Sequence, residues 1–169
     1  MERRSETLKL VLGAVFIALV ALATMVIQIP IPQGGGYLNI GDTMIFVAAL
    51  LLGPVGGAVA GGLGSALADV LNPVYAYWAP WTLVVKGIEG LLVGLLGYGI
   101  YQRYKKVTWR VYMSMAVGAL WMVIGYYLAS SILYSFAAAW VFVPMNMIQG
   151  AVSVVLAGLI LGLLRHLKT

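Results

Sequence analysis

The sequence predicts an all-α membrane protein: six transmembrane helices forming one domain over residues 1–169. Three observations predict it. Hydrophobic residues make up 63% of the chain and charged ones only 9%, against roughly 45–50% and 25% in soluble domains. Polar side chains are therefore too few to clothe a water-soluble globule. Apolar runs near the spanning length of about 20 residues recur along the chain, separated by Pro- and Gly-rich breaks. The basic residues fall in clusters that only an even number of spans brings to one side. Six spans use nearly the whole chain and leave no room for a soluble catalytic or nucleotide-hydrolysing domain. The same composition excludes disorder and argues against nucleic acid as a partner, despite a net charge of +5.

The first span covers residues 8–29. Arg3 and Arg4 before it imitate a secretory signal, but its apolar stretch exceeds a signal core of roughly 7–15 residues and further spans follow. It reads as a permanent helix. Pro30–Ile31–Pro32 ends it, and Gly34–Gly35–Gly36 makes the next loop pliant. Residues 43–52 and 55–71 form the second and third helices, parted by Gly53–Pro54. Glycine just past a helix end and proline in the next first turn mark a stop and restart. A run of about ten residues rises only about 15 Å, so the second helix must borrow from residues 39–42 or stay partly buried in protein. Asn72–Pro73 ends the third helix, and the fourth covers residues 81–101. The fifth covers residues 111–134 and the sixth residues 139–164.

Charge parity fixes the expected topology. Nine of the ten basic residues lie in three clusters: Arg3, Arg4 and Lys9; Arg103, Lys105, Lys106 and Arg110; Arg165 and Lys168. Cytoplasmic loops concentrate Lys and Arg. Six helices place all three clusters inside with both termini, whereas five would strand the second and third outside.

Several chemistries are absent from the sequence. There is no cysteine, and the one histidine is His166, so thiolate metal sites, serine–histidine hydrolysis and multi-histidine metal sites are disfavoured. The glycine-rich stretch at residues 53–64 lacks the lysine of a phosphate-binding loop. It reads as close helix packing through small residues, with Gly57 and Gly61 four apart.

Ionisable residues inside a membrane are costly and point to function. Here they are Asp42, Asp69, Lys86 and Glu89. In the six-helix topology Asp42 and Asp69 sit at the outer ends of helices two and three. Lys86 and Glu89 lie one to two turns below the outer end of helix four, and Asn146 and Gln149 lie at similar depth in helix six. Tyr126, Tyr127 and Tyr134 occupy the outer half of helix five, and Tyr75, Tyr77, Trp78 and Trp81 line the entry to helix four. The inner half is apolar or small. A channel needs hydratable lining throughout, and a proton pump needs a relay across the midplane. The pattern instead fits an outward-facing pocket for a small flat ligand, with residues 30–39, including Tyr37, as a lid.

Each residue also has a purely structural reading. Lys86 and Glu89, at i,i+3, can pair with each other. Asp42 is expected to cap a helix N-terminus. Asp69 can pair with Lys86 or be solvated. Asn146 and Gln149 can hold helices together. Trp109 and Trp78 read as interface anchors.

At these residues the chain resembles the substrate-binding S components of energy-coupling factor (ECF) vitamin transporters, and most of all their riboflavin-transporter-type branch. The resemblance rests on four ordered motifs. They are Gly36–Tyr37–Leu38–Asn39–Ile40–Gly41–Asp42, Leu52–Gly53–Pro54–Val55–Gly56–Gly57, residues 64–71 (GSALADVL) and residues 77–90 (YWAPWTLVVKGIEG). It covers most of residues 1–95 well and the last two helices more loosely. It implies six helices, an outward vitamin pocket with a lid between helices one and two, a transmembrane coupling subunit and two ATPases. It also implies docking of that subunit on a small-residue stripe, matched here by Ala14 and Ala18.

The expectation is a non-enzymatic, multi-pass subunit of the plasma membrane that captures a B vitamin or precursor from outside. The cargo classes are riboflavin, pyridoxine-like compounds and hydroxymethylpyrimidine, bound as substrate, with no cofactor. Tyr37, Asn39, Trp81, Lys86, Glu89, Tyr126, Tyr134, Asn146 and Gln149 are the expected binding residues. The alternative is a stand-alone proton-coupled carrier titrating Asp69, Lys86 and Glu89.

Overall fold

A computed structural model describes residues 2–31 and 36–166, and the side chains of residues 7–31 and 36–165. Pro32, Gly34 and Gly35 of the expected lid, and Lys168 of the last basic cluster, lie outside the described residues. Helix α1 (Glu2–Val26) leads into a two-residue antiparallel pairing of β1 (Ile29–Pro30) with β2 (Tyr37–Leu38). Then follow α2 (Gly41–Leu52), α3 (Pro54–Val70), a 3-10 turn (Ala76–Trp78), α4 (Ala79–Tyr104), α5 (Trp109–Leu133), the single turn α6 (Phe136–Ala139) and α7 (Phe142–His166). Four segments are long and apolar enough to cross a membrane: Thr7–Val26, Ala76–Tyr104, Trp109–Leu133 and Phe136–Arg165. Their outward faces carry exposed large apolar residues such as Leu10, Val26, Leu95, Ile132 and Leu163, a surface suited to lipid rather than water.

The stop and restart at Gly53–Pro54 forms as the sequence predicts. Gly53 has φ of 89°, a left-handed conformation that glycine adopts without a Cβ penalty, and its N–H bonds back to Ala49 O. Pro54 occupies the first turn of α3, where its missing N–H costs nothing. One carbonyl freed at the end of α2 is taken by a side chain, as Gln102 Nε2 of α4 donates to Leu50 O at 3.1 Å. The short α2 uses both devices open to it. It begins at Gly41, borrowing Asp42, and nine of its 12 residues are buried, enclosed by α1, α3, α4 and α7.

Small residues let α3 and α4 touch backbone to backbone. A Cβ on Gly57 would stand 2.7 Å from Gly90 O and 2.6 Å from Ala49 Cβ, and one on Gly61 would stand 2.6 Å from Lys86 O. The glycine-rich stretch is therefore a packing surface.

Three elements depart most from the sequence reading: α1 ends at Val26 rather than at residue 29, since Ile29 and Pro30 pair with β2, and the fourth and last spans also shift. Helix α4 starts at Ala79, because Pro80 fits a first turn, and runs on to Tyr104. The last span is broken: Ser135 is extended, and its side chain accepts Ala138 N–H at 3.2 Å to start α6. The helix restarts at Phe142, with Pro144 tolerated in the first turn of α7.

Two clusters fill the interior. Phe16, Val20, Phe46, Leu50, Val93, Met115 and Leu161 form an apolar body. At the end of the bundle where α2 begins, Ile31, Tyr75, Trp78, Ala129 and Phe142 form an aromatic-rich cluster, with Tyr37, Trp81 and Tyr126 packed against it. The polar site lies among the side chains of this second end.

Candidate functional site

Helical periodicity aims the polar residues at one point. Ser65 and Asp69 are four apart on α3, Thr82 and Lys86 four apart on α4, and Asn146 and Gln149 three apart on α7, so each pair shares a helix face. Tyr37 reaches the same place from β2, and Asn39 from the link between β2 and α2. Together with Thr24 of α1, Tyr126 of α5 and the rings of Trp78 and Phe142, they line one cavity. The space between its walls, counted out into open solvent at the mouth, is at most about 480 Å³, which excludes a macromolecule.

Beneath the cavity lies a buried ion cluster. Lys86, 1% exposed, donates through Nζ to Asp42 Oδ1 and lies 3.1 Å from Glu89 Oε2. Both carboxylates are fully buried, where an unpaired charge is costly. Asp42 Oδ2 accepts from Gln149 Nε2 at 2.9 Å, and Gln149 Oε1 accepts the Asn39 N–H at 2.9 Å. A polar chain thus runs from the loop, through α7 and α2, to Lys86. The Tyr126 ring stands 5.4 Å from Lys86 Nζ, within cation–π range.

A second contact ties the loop to α3. The Tyr37 hydroxyl donates to Asp69 Oδ1 at 2.6 Å. Burial, followed by the Asp69 charge, pushes the Tyr37 pKa well above the ordinary phenol value, so Tyr37 remains a donor. The other Asp69 oxygen has no hydrogen-bond partner among the described residues, and neither does Thr24 Oγ1. Asn146 is 5% exposed, lines the cavity, and its side-chain amide is not committed to any described residue. An uncommitted amide on a cavity wall offers both a donor and an acceptor.

Of the residues expected to bind ligand, Tyr37, Asn39, Lys86, Tyr126, Asn146 and Gln149 line the cavity. The other three lie elsewhere. Glu89 is sealed below the cavity against Lys86. Trp81 is half-buried in the aromatic cluster. Tyr134 stands at the rim, its hydroxyl 2.7 Å from that of Tyr77 and its ring stacked on Phe142.

Three structural expectations are corrected. Asp42 is not a cap: the N–H of Gly41, first in α2, is taken by Asn39 Oδ1 at 2.8 Å, and Asp42 is instead the ion partner of Lys86, because α2 is buried in protein rather than ending in water. Asp69 pairs with Tyr37, since Asp42 and Glu89 already occupy the ammonium. Trp78 is no interface anchor; it is 4% exposed and packs against Tyr126, Tyr134 and Phe142. Trp109, 70% exposed, fits that role.

Sequence reasoning missed Thr24, Ser65, Thr82 and Phe142 as cavity residues. The helical spacings Ser65–Asp69 and Thr82–Lys86 were the available signal, as was Thr24, the lone hydroxyl in its apolar run. Phe142 carried none, because the break between α6 and α7 turns it inward.

Comparison with known proteins adds independent findings. A family profile described as ECF-type riboflavin transporter, S component, matches residues 4–166. An uncharacterised protein of Pyrococcus woesei is 39% identical over 139 residues, covering 82% of this chain and 89% of that protein. The thiamine precursor transporter HmpT of Lactococcus lactis subsp. cremoris is 29% identical over 150 residues, covering 88% of this chain and 82% of that protein.

Proposed function

We propose, from the premise that this chain belongs to the ECF-type riboflavin transporter S-component family, that it captures a small flat B vitamin or vitamin precursor in the cavity beneath Tyr37 and Asn39. The family is a vitamin-binding transporter component, not an enzyme, and the chain is a multi-pass membrane protein. In the proposed arrangement the chain is a single six-helix domain of the plasma membrane with both termini cytoplasmic. The cavity opens outward, under the loop of residues 30–39 as its lid.

One observation carries the reading: the Asn146 amide, uncommitted among the described residues, on a wall shared with Trp78, Tyr126 and Phe142. Aromatic faces hold a flat ring, and a directional amide fixes its orientation. The cargo is riboflavin, a pyridoxine-like compound or a hydroxymethylpyrimidine; the HmpT relative supports the last class. Asn146→Ala is expected to weaken binding by roughly 1–3 kcal/mol, the cost of leaving a buried polar partner unmatched. Calorimetry in detergent checks it, and unchanged affinity removes Asn146 from the site.

Release to the inside then requires a transmembrane coupling subunit and two ATPases, which shift the chain between conformations of different affinity. Ala14 and Ala18 lie on an exposed face of α1, and small residues four apart permit close helix approach. Ala14→Leu with Ala18→Leu is expected to abolish co-purification with such a module while leaving ligand affinity within about twofold, since neither residue lines the cavity. Co-purification that survives both changes rules out this docking face.

The stand-alone proton-coupled carrier would titrate Asp69, Lys86 and Glu89. The pairing of Lys86 with Glu89 and Asp42 at the floor of the cavity supports the receptor reading over this one. Uptake by the purified chain alone in liposomes under a pH gradient would select the carrier.

A further inference from the structure

The cavity is chemically one-sided. Asp69 and Lys86 are the charged groups on its described wall, Asp42 and Glu89 lie sealed beneath it, and all four are at most 3% exposed. Lys86 is taken by Asp42 and Glu89, and it is the only Lys or Arg among the residues lining the cavity. A ligand phosphate or carboxylate would therefore meet no uncommitted cation and would face Asp69. Burying such an unpaired charge is expensive.

Asp69 has the complementary deficit. Oδ1 receives the Tyr37 hydroxyl, and the Thr82 hydroxyl stands beside the same carboxylate. Oδ2 is buried with no partner that meets hydrogen-bond geometry. An ionised carboxylate oxygen is an acceptor only, and a buried one whose neighbouring hydroxyl, Thr82, does not reach hydrogen-bond geometry is one that a ligand N–H can satisfy. The loop side of this arrangement is held by one phenol, Tyr37, whose hydroxyl a ligand amine can replace or join.

We infer that Asp69 determines the cargo class: the cavity takes a flat heteroaromatic ring bearing an amino or protonated-nitrogen donor, and it rejects phosphorylated or carboxylated forms of the same ring. This rests on the reading of the chain as a vitamin-binding subunit and narrows it. The acceptor is Asp69, Asn146 supplies a second directional contact in the same cavity, and Lys86 serves to balance Asp42 and Glu89 rather than to hold an anion.

The test is equilibrium titration of the full-length purified chain with matched compounds in two ring series. The pyrimidine series comprises an aminopyrimidine with a hydroxymethyl arm, its counterpart with hydrogen in place of the amino group, and its phosphate ester. The pyridine series comprises pyridoxamine, pyridoxine and pyridoxamine phosphate. Riboflavin completes the panel. In at least one series the amine is expected to bind at least roughly tenfold more tightly than its amine-free counterpart, and by a similar margin over its phosphate ester. Asp69→Asn should bring the amine preference to within about threefold while barely moving the amine-free compound. Tyr37→Phe, which removes the competing hydroxyl, should widen the preference. The comparison within the unaltered chain stands even where a variant fails to fold. Equal binding of amine and amine-free compounds, tight binding of a phosphate ester, or a preference unchanged in Asp69→Asn would overturn the inference and leave vitamin capture intact. Binding of no compound in the panel, riboflavin included, would overturn both.

Discussion

Replacing Lys86 with methionine is expected to destabilise the chain by about 3–5 kcal/mol, the penalty for leaving a buried ionic partner without its counter-charge. Asp42 and Glu89 are both fully buried. Without the ammonium, Asp42 keeps only the Gln149 amide as a donor, and Glu89 keeps none among the described residues. By the scaling for domains of this length, the loss corresponds to a fall of roughly 6–20 °C in thermal midpoint. Thermal unfolding of the detergent-purified protein measures it. Neutralising the whole set, with Lys86→Met, Asp42→Asn and Glu89→Gln together, should recover most of the loss, because the uncompensated charge disappears with the cation. If Lys86→Met shifts stability by less than about 1 kcal/mol, the cluster is solvated rather than sealed.

Gly90→Leu should be comparably severe for a different reason. A Cβ at Gly90 runs into the backbone of Gly57, and backbone cannot yield as a flexible side chain does. Helices α3 and α4 would have to separate, and Lys86, one turn away on α4, would move with them. Overpacking usually costs about 1–3 kcal/mol and occasionally more, and a backbone-on-backbone crossing belongs at the upper end. Gly99→Leu is the matched control. It lies on the same helix with nothing within 4 Å of its Cβ position and should stay within about 0.5 kcal/mol. Thermal midpoint and monodispersity in detergent compare the two; similar behaviour would mean that α3 and α4 are not held by this crossing.

Much of this architecture was legible because membrane helices announce themselves. Length, apolar runs and the Gly53–Pro54 break place the helices within a few residues, since backbone polar groups in lipid must be satisfied inside each helix. Convergence of Lys86, Asn146 and Gln149 was legible too, because each lies at a fixed depth from a helix end. Depth, however, does not specify azimuth. Asp42 read as a cap because its position near the start of α2 was visible, while the enclosure of α2 by four other helices was not. Asp69 and Lys86 were candidates to pair with each other; the choice of Tyr37 for Asp69 depends on where the loop crosses the bundle, which hydrophobic pattern leaves open. Trp78 and Phe142 turn inward because of a 3-10 turn and a helix break, local features with weak sequence signals.

Native mass spectrometry of the unaltered chain, released from detergent without added ligand, tests the central claim most directly. A receptor whose polar groups crowd one cavity above an apolar body should carry a single small molecule of vitamin or vitamin-precursor mass at one copy per chain. The fraction of chain carrying the adduct should fall in Asn146→Ala, and its mass separates a flavin from a one-ring compound. A chain that never retains such a molecule, even from cells supplied with B vitamins and their precursors, would contradict vitamin capture in this cavity.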